Sequence, residues 1–144
     1  MPDERKIRVL LSRDDWYHQR GYWVIASALK DAGFEVVLGG IQTPVDIVQT
    51  ALEEDVDVVG YRIMDGAPKV LLPILFEEME KRGGRDIPVV VGGIVPEKEE
   101  TVLRELGVRD VFHPYSPLQE ITERIRRIAM ERRRSRSDSE DEKP

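Results

Sequence analysis

At residues 7–29 the chain reads IRVLLSRDDWYHQRGYWVIASAL: a short apolar run, a polar loop and an amphipathic segment. The run from Ile7 to Leu11 is apolar and too short for a helix, so it predicts a buried strand. Apolar residues then recur at helical spacing from Val24 to Leu29, which predicts a helix directly after the loop. A strand, a loop and a helix in this order place the loop at the carboxyl edge of a parallel sheet, where ligands usually bind. We therefore expect the functional site at residues 12–21.

The rest of the chain repeats this alternation. Four further apolar runs predict strands, and capped amphipathic segments between them predict helices, two of which begin at Thr43-Pro44 and Ser116-Pro117. Five such units predict an α/β fold: a flavodoxin-like, Rossmann-like, doubly wound parallel sheet with strand order 2-1-3-4-5. In that fold, one edge of the sheet is shared by the loops at 12–21, 61–68, 92–97 and 113–116.

Composition restricts the classes of protein to which this chain belongs. It has 144 residues, of which 40% are hydrophobic and 35% charged, as expected for one globular domain. A net charge of −6 argues against nucleic-acid binding by the folded domain. The absence of cysteine excludes disulfides and thiolate metal sites and suits a reducing cytoplasm, the compartment that we expect. No apolar run has membrane-spanning length, so we expect no membrane association.

The end of the chain differs in composition from the rest. Arg132-Arg133-Arg134-Ser135-Arg136 is basic, and residues 137–144 are acidic and lack apolar side chains. Such a segment buries too little surface to offset its ordering entropy. We therefore predict a folded domain over residues 1–133 and a disordered charged tail over residues 134–144.

Several segments resemble the cobalamin-binding domain of methylmalonyl-CoA mutase and its relatives, and the likeness covers nearly all of the chain except its termini. The segments that carry it are His18-Gln19-Arg20-Gly21, ALKDAGFEVV (Ala28 to Val37), EDVDVVG (Glu54 to Gly60) and VGGIVP (Val91 to Pro96). The chain is similar to the small subunit of an acyl-CoA mutase, an isomerase. The resemblance implies that a separate barrel subunit holds the substrate, so this chain would not be catalytic alone.

The family's ligand motif is Asp-x-His-x-x-Gly, followed by Ser-x-Leu after the third strand and a glycine pair after the fourth. The resemblance implies that adenosylcobalamin binds with its own nucleotide base detached from cobalt and its tail in a slot beside the sheet. His18 matches the cobalt ligand, Gly21 the closing glycine, and Gly92 and Gly93 the glycine pair. A neutral imidazole suits such a metal, and glycines let a bulky ligand approach the backbone.

The chain departs from the family at ligand positions. Trp16 stands where the motif has aspartate, Arg62 and Met64 replace the serine and leucine, and Tyr115 stands where relatives usually have glycine. We hypothesise that Trp16, Arg62 and Tyr115 pack together and fill the tail slot, with Arg62 stacked on an aromatic ring or paired with an aspartate. Cobalamin binding would then be weak or absent, and the chain would be a degenerate member that acts as an interaction or regulatory module.

Other interpretations stay open. Asp14 and Asp15 could supply the missing carboxylate, although solvated loop acids or helix caps are the simpler interpretation. Together with Asp65 they also resemble the acidic cluster of a receiver-like signalling domain, a distant alternative. We interpret His113 as a surface residue. The expected partner is a large catalytic mutase subunit or another protein, and the sequence is compatible with a homo-oligomer.

Overall fold

The computed structural model describes residues 5–141, with side chains as far as Asp138. Strands and helices alternate along the whole of this range, as the sequence predicts. In chain order they are β1 (Arg8–Arg13), α1 (Gln19–Asp31), β2 (Glu35–Ile41), α2 (Pro44–Glu53), β3 (Val58–Ile63), α3 (Pro68–Lys81), β4 (Val89–Gly93), α4 (Glu97–Leu106), β5 (Asp110–Phe112) and α5 (Leu118–Asp141).

The five strands form one sheet with the order β2-β1-β3-β4-β5, and every neighbouring pair is parallel. The predicted fold class and strand order are therefore confirmed. Because β1 and β3 are neighbours although β2 lies between them in sequence, the connection reverses direction next to β1. Ligands of such sheets bind at this reversal, outside the carboxyl ends of the strands.

Helices cover both faces of the sheet. On one face α2, α3 and α4 pack over a large core that includes Leu72 and Leu75. On the other face α1 and α5 pack over a smaller core around Leu29 and Ile125. Each fully buried side chain of this size contributes about 1.5–3 kcal/mol through removal of apolar surface from water.

The start of α2 follows the sequence prediction. The Thr43 hydroxyl accepts a hydrogen bond from the Asp46 N–H at 3.3 Å, and Pro44 occupies the first turn, where it gives up no helical hydrogen bond. The apolar run from Phe34 to Leu38 predicts a second strand that ends at Gly39-Gly40, but β2 continues through this glycine pair to Ile41. A bulge opposite Leu11 and Ser12 skips one residue, and Gly40 supports it with a φ of +70°.

The end of the chain also differs from the prediction, since α5 continues to Asp141 and residues 134–141 are helical. Arg132 and Arg133 anchor the helix: Arg132 donates to the Val56 carbonyl at 3.2 Å, and Arg133 bonds Asp57 at 2.9 Å. A docked helix has already overcome nucleation, so further residues need only propagate it. Residues 142–144 of the predicted tail lie outside the described residues. Within residues 5–141, no helix combines the length and apolar character needed to cross a membrane.

Candidate functional site

The site loop is shorter than the sequence suggests. Strand β1 continues to Arg13 and helix α1 begins at Gln19, so the loop comprises residues 14–18. His18 is the N-cap residue of α1 and lies at the carboxyl edge of the sheet. This places its imidazole where a doubly wound sheet usually binds its ligand.

The orientation of His18 is set by Asp15. The Asp15 carboxylate accepts a hydrogen bond from Nδ1 of the ring; its side chain is 2% exposed, whereas that of His18 is 50% exposed. With Nδ1–H committed to the carboxylate, the neutral ring keeps its lone pair on Nε2. A carboxylate behind the imidazole is the usual support of a metal-ligating histidine. The family's carboxylate is therefore present one residue earlier than Trp16, and the interpretation of Asp15 as a solvated acid is wrong.

Asp14 has a different task, which is to join two loops. Its carboxylate accepts hydrogen bonds from the backbone N–H groups of Met64 at 2.8 Å, Asp65 at 3.1 Å and Gly66 at 2.5 Å. Its own N–H donates to the Arg62 carbonyl at 3.2 Å. Within residues 5–138, no group of three His, Cys, Asp or Glu side chains could hold a metal ion. The acidic cluster of the receiver-like alternative is therefore not formed in the described chain.

A slot of about 750 Å³ lies between helices α1 and α5 and the sheet. This volume is typical of sites for small molecules and cofactors. Gly60, in the middle of β3, contributes no side chain to the slot, and a Cβ there would lie 3.3 Å from Leu11. The apolar part of the lining includes Val9, Leu11, Leu29, Val90, Ile121 and Ile125.

The slot is open, so the predicted filling by three large side chains is wrong. Trp16 is 68% exposed and Tyr115 fully exposed, and neither packs on Arg62. Trp16 points outward because Asp15 takes the inward position of the loop. Tyr115 has a φ of +72° in a turn closed by a hydrogen bond from Ser116 N–H to the His113 carbonyl. That turn places its ring on the rim of the slot.

Arg62 lies at the mouth of the slot, near the end of β3. Its Nη1 donates to the His18 carbonyl at 2.7 Å, so the predicted aromatic or carboxylate partner is replaced by a backbone oxygen. Its guanidinium lies against Gly21, where a Cβ would collide with it. Burial lowers the pKa of Arg62; Asp15 and Asp14 oppose this shift, and Arg13 adds to it. Gly21 is therefore required for the position of Arg62.

The glycine pair after β4 serves two purposes. Gly93 has a φ of +106°, and a Cβ there would meet the Ile63 carbonyl, so the turn itself requires glycine. At Gly92 a Cβ would have a neighbour only at 3.7 Å, the Phe112 carbonyl, and this residue lines the slot. Met64 lines the slot as well.

The structure thus brings His18 to the edge beside the slot, and places Gly21, Arg62, Met64, Gly92, Gly93 and Tyr115 along the slot lining.

Three slot residues were missed by sequence reasoning. Gly60 could have been found, because a glycine inside an apolar strand often marks a close approach. Tyr61 borders the slot, but its side chain is buried in the core on the opposite face of the sheet, and burial, with a contribution from Asp14, raises its pKa to about 12. His113 is a lining residue rather than a plain surface residue, and its Nε2 lies 2.5 Å from a Glu100 carboxylate oxygen.

Comparison with known proteins identifies the family of this site. Residues 8–120 match the model of the B12-binding domain. The chain is 39% identical to the 2-hydroxyisobutanoyl-CoA mutase small subunit of Aquincola tertiaricarbonis, covering 90% of this chain and 97% of the relative. It is 37% identical to the pivalyl-CoA mutase small subunit of Xanthobacter autotrophicus, with 93% and 91% coverage. Methylmalonyl-CoA mutase of Rhizobium meliloti is 46% identical over 67% of this chain, but this match spans 14% of the relative.

Solved structures agree with the fold. A cobalamin-binding protein from Desulfitobacterium hafniense superposes with a TM-score of 0.66 at 21% identity, over 86% of this chain and 60% of that one. A signal receiver domain from Vibrio parahaemolyticus superposes with a TM-score of 0.71 at 13% identity, over 94% and 98% of the two chains. At such identities the likeness concerns the fold alone. The family follows from the sequence matches: this chain belongs to the B12-binding domain family and resembles the small subunits of acyl-CoA mutases.

Proposed function

We propose that this chain binds adenosylcobalamin with His18 as a ligand of cobalt and the nucleotide tail in the slot. It would act as the cofactor-binding small subunit of an acyl-CoA mutase whose catalytic barrel is a separate chain. The observation that carries this proposal is the half-exposed His18 ring, held through Nδ1 by buried Asp15 beside an open slot.

The residues present fit a metal that arrives inside a cofactor. A protein site for a free metal ion needs several ligands, and the described chain offers no such group. One histidine with a free Nε2 is enough for a metal whose other ligands come from a macrocycle. When bound, adenosylcobalamin supplies an organic radical through its cobalt–carbon bond.

The chain's own residues would bind and orient the cofactor. Asp15 holds the His18 ring in one orientation and, in the neutral ring, selects the tautomer whose lone pair is on Nε2, which favours ligation. Apolar side chains of the slot would remove the tail from water, and Gly60 leaves room for it between β3 and the helices. The CoA thioester would be held by the separate catalytic chain.

The lengths of the relatives support a separate catalytic chain. The two small subunits match over 91–97% of their own length, whereas the Rhizobium meliloti mutase matches over 14%. We infer that this chain serves as such a small subunit and that its partner is a large catalytic mutase subunit.

A binding experiment with two histidine variants tests the proposal. Purified protein mixed with cobalamin should keep the red colour through desalting and give the absorption spectrum of histidine-ligated cobalt. His18→Ala should lose that spectrum and bind weakly, whereas His113→Ala, the matched control for the loss of a histidine, should keep the histidine-ligated spectrum. The loaded chain alone should turn over no acyl-CoA.

Two results would contradict the proposal. Loss of colour from the unchanged protein would return the function to an interaction module. A spectrum of His18→Ala identical to that of the unchanged protein would remove His18 from the site.

A further inference from the structure

The lining of the slot is unusual in its charge. It contains two arginines, Arg20 and Arg62, and no aspartate or glutamate among the described residues. The protein as a whole carries a net charge of −6, so acidic side chains are abundant elsewhere. A positive lining in an acidic protein concentrates anions at that position.

Arg62 is the more deeply placed of these two cations. It is half-buried, burial lowers its pKa, and no ion pair joins it to a carboxylate within the described chain. Asp14 and Asp15 attract Arg62 from nearby, but the hydrogen bonds of their carboxylates go to backbone N–H groups and to His18 rather than to the guanidinium. A guanidinium that has lost water without forming a direct ion pair is costly, and an anion that entered the slot would offset part of this cost.

The remaining donors of Arg62 are available for such an anion. Nη1 bonds the His18 carbonyl, whereas Nε and Nη2 lie against Gly21 and have no hydrogen-bond acceptor in the described part of the chain. Nε and Nη2 form one edge of the planar guanidinium, which matches two oxygens of a phosphate.

We propose that Arg62 binds the phosphodiester of the cofactor's nucleotide tail and makes the slot selective for corrinoids that carry this anion. The inference rests on the proposed function, and it assigns a role to the residue that departs from the family's serine. A phosphodiester is the tail's only charged group, and it precedes the base along the tail. The charge would therefore meet Arg62 at the mouth, and the flat base would enter the apolar part of the slot.

The test compares three corrinoids: cobalamin, cobinamide, which lacks the nucleotide tail, and cobinamide phosphate, which adds only the phosphate. Binding is followed by absorption titration. A charge-assisted hydrogen-bond pair predicts that the unchanged protein binds cobinamide phosphate roughly ten- to a hundredfold tighter than cobinamide. This preference should shrink as salt is raised.

Variants assign the preference to Arg62. Arg62→Gln should bring the ratio of the two affinities close to one, and Arg62→Lys should keep part of the ratio. Arg127→Gln is the matched control, because Arg127 is exposed and makes no hydrogen bond or ion pair in the described part of the chain. Arg127→Gln changes the net charge by the same amount as Arg62→Gln and should keep the full ratio of the affinities for cobinamide phosphate and cobinamide. Thermal melts confirm that each variant is folded.

The outcomes separate the two proposals. If the unchanged protein binds cobalamin through His18 but Arg62→Gln keeps the full preference for the phosphate, the role of Arg62 is refuted and the proposed function stands. If Arg127→Gln loses the preference as well, general charge rather than Arg62 is responsible, and the inference is again wrong. If the unchanged protein binds none of the three corrinoids, both proposals fail.

Discussion

Asp14 is expected to be a main determinant of the stability of the site edge, and Asp14→Ala tests this. The substitution removes the acceptor of three backbone N–H groups, those of Met64, Asp65 and Gly66. A hydrogen bond to a charged group contributes about 1.5–3 kcal/mol where water cannot replace it. Asp65 and Gly66 are exposed and Met64 is half-buried, so water recovers much of two bonds. The free energy of unfolding should therefore fall by about 2–3 kcal/mol.

Urea denaturation followed by circular dichroism measures this loss. With a slope of about 2 kcal/mol per molar urea, the midpoint should fall by about 1–1.5 M. Asp65→Ala is the control, because the exposed Asp65 side chain makes no hydrogen bond or ion pair within the described chain, and its cost should stay within about 0.5 kcal/mol. Mg²⁺ should not raise the urea midpoint of the unchanged protein, since both oxygens of the Asp14 carboxylate already accept backbone hydrogen bonds. Equal midpoints for Asp14→Ala and Asp65→Ala, or stabilisation by Mg²⁺, would refute this account.

Three further predictions concern the central strand β3, the turn after β4 and the slot. Burial raises the pKa of Tyr61 from 10 to about 12, so the unfolded state loses this proton first as the pH rises. Tyr61 should therefore leave the free energy of unfolding unchanged below pH 10 and lower it by about 2–3 kcal/mol between pH 10 and 12. Tyr61→Phe should lack this part of the loss in urea titrations at each pH, and an identical pH profile would contradict the assignment. Gly93→Ala should lower the free energy of unfolding by about 1–3 kcal/mol, because residue 93 has a φ of +106° and a Cβ there would clash with the Ile63 carbonyl. Gly92→Ala should change it by less than about 0.5 kcal/mol. Equal melting temperatures of the two variants would argue against this difference. Gly60→Val should narrow the slot, so that cobalamin binds at least about tenfold more weakly while cobinamide, which lacks the tail, still binds. Absorption titration measures both affinities. An unchanged affinity for cobalamin would mean that the nucleotide tail does not occupy the slot.

The fold could be predicted from the sequence because its signals are local. A buried parallel strand reads as a short apolar run, and caps such as Thr43-Pro44 mark where helices begin. The alternation of strands and helices along the chain then allows only a few topologies. Strand and helix ends were less predictable: Gly40 supports a bulge within β2 rather than ending it, because the register with β1 decides its role.

The directions of side chains in loops could not be predicted in the same way. Trp16 and Tyr115 stand at family ligand positions and are large, so packing in the slot was a reasonable expectation. Their directions depend on backbone angles that the sequence does not state, such as the φ of +72° at Tyr115. The sequence therefore identified several residues that border the slot, but it did not show that Trp16 stays outside it.

The site also shows how a motif can change while a contact between a carboxylate and the histidine ring is kept. The family's motif has two residues from aspartate to histidine, whereas here the carboxylate that bonds the His18 ring comes from Asp15, three residues earlier. A longer interval at the N-cap of α1 is tolerated because the loop before the cap is not bound by helical geometry. The neighbouring Asp14 then fixes the β3–α3 loop, which carries Met64 at the slot. The two adjacent aspartates thus have separate tasks: Asp15 orients the His18 ring, and Asp14 holds the wall of the slot. A search for the spaced motif alone misses both.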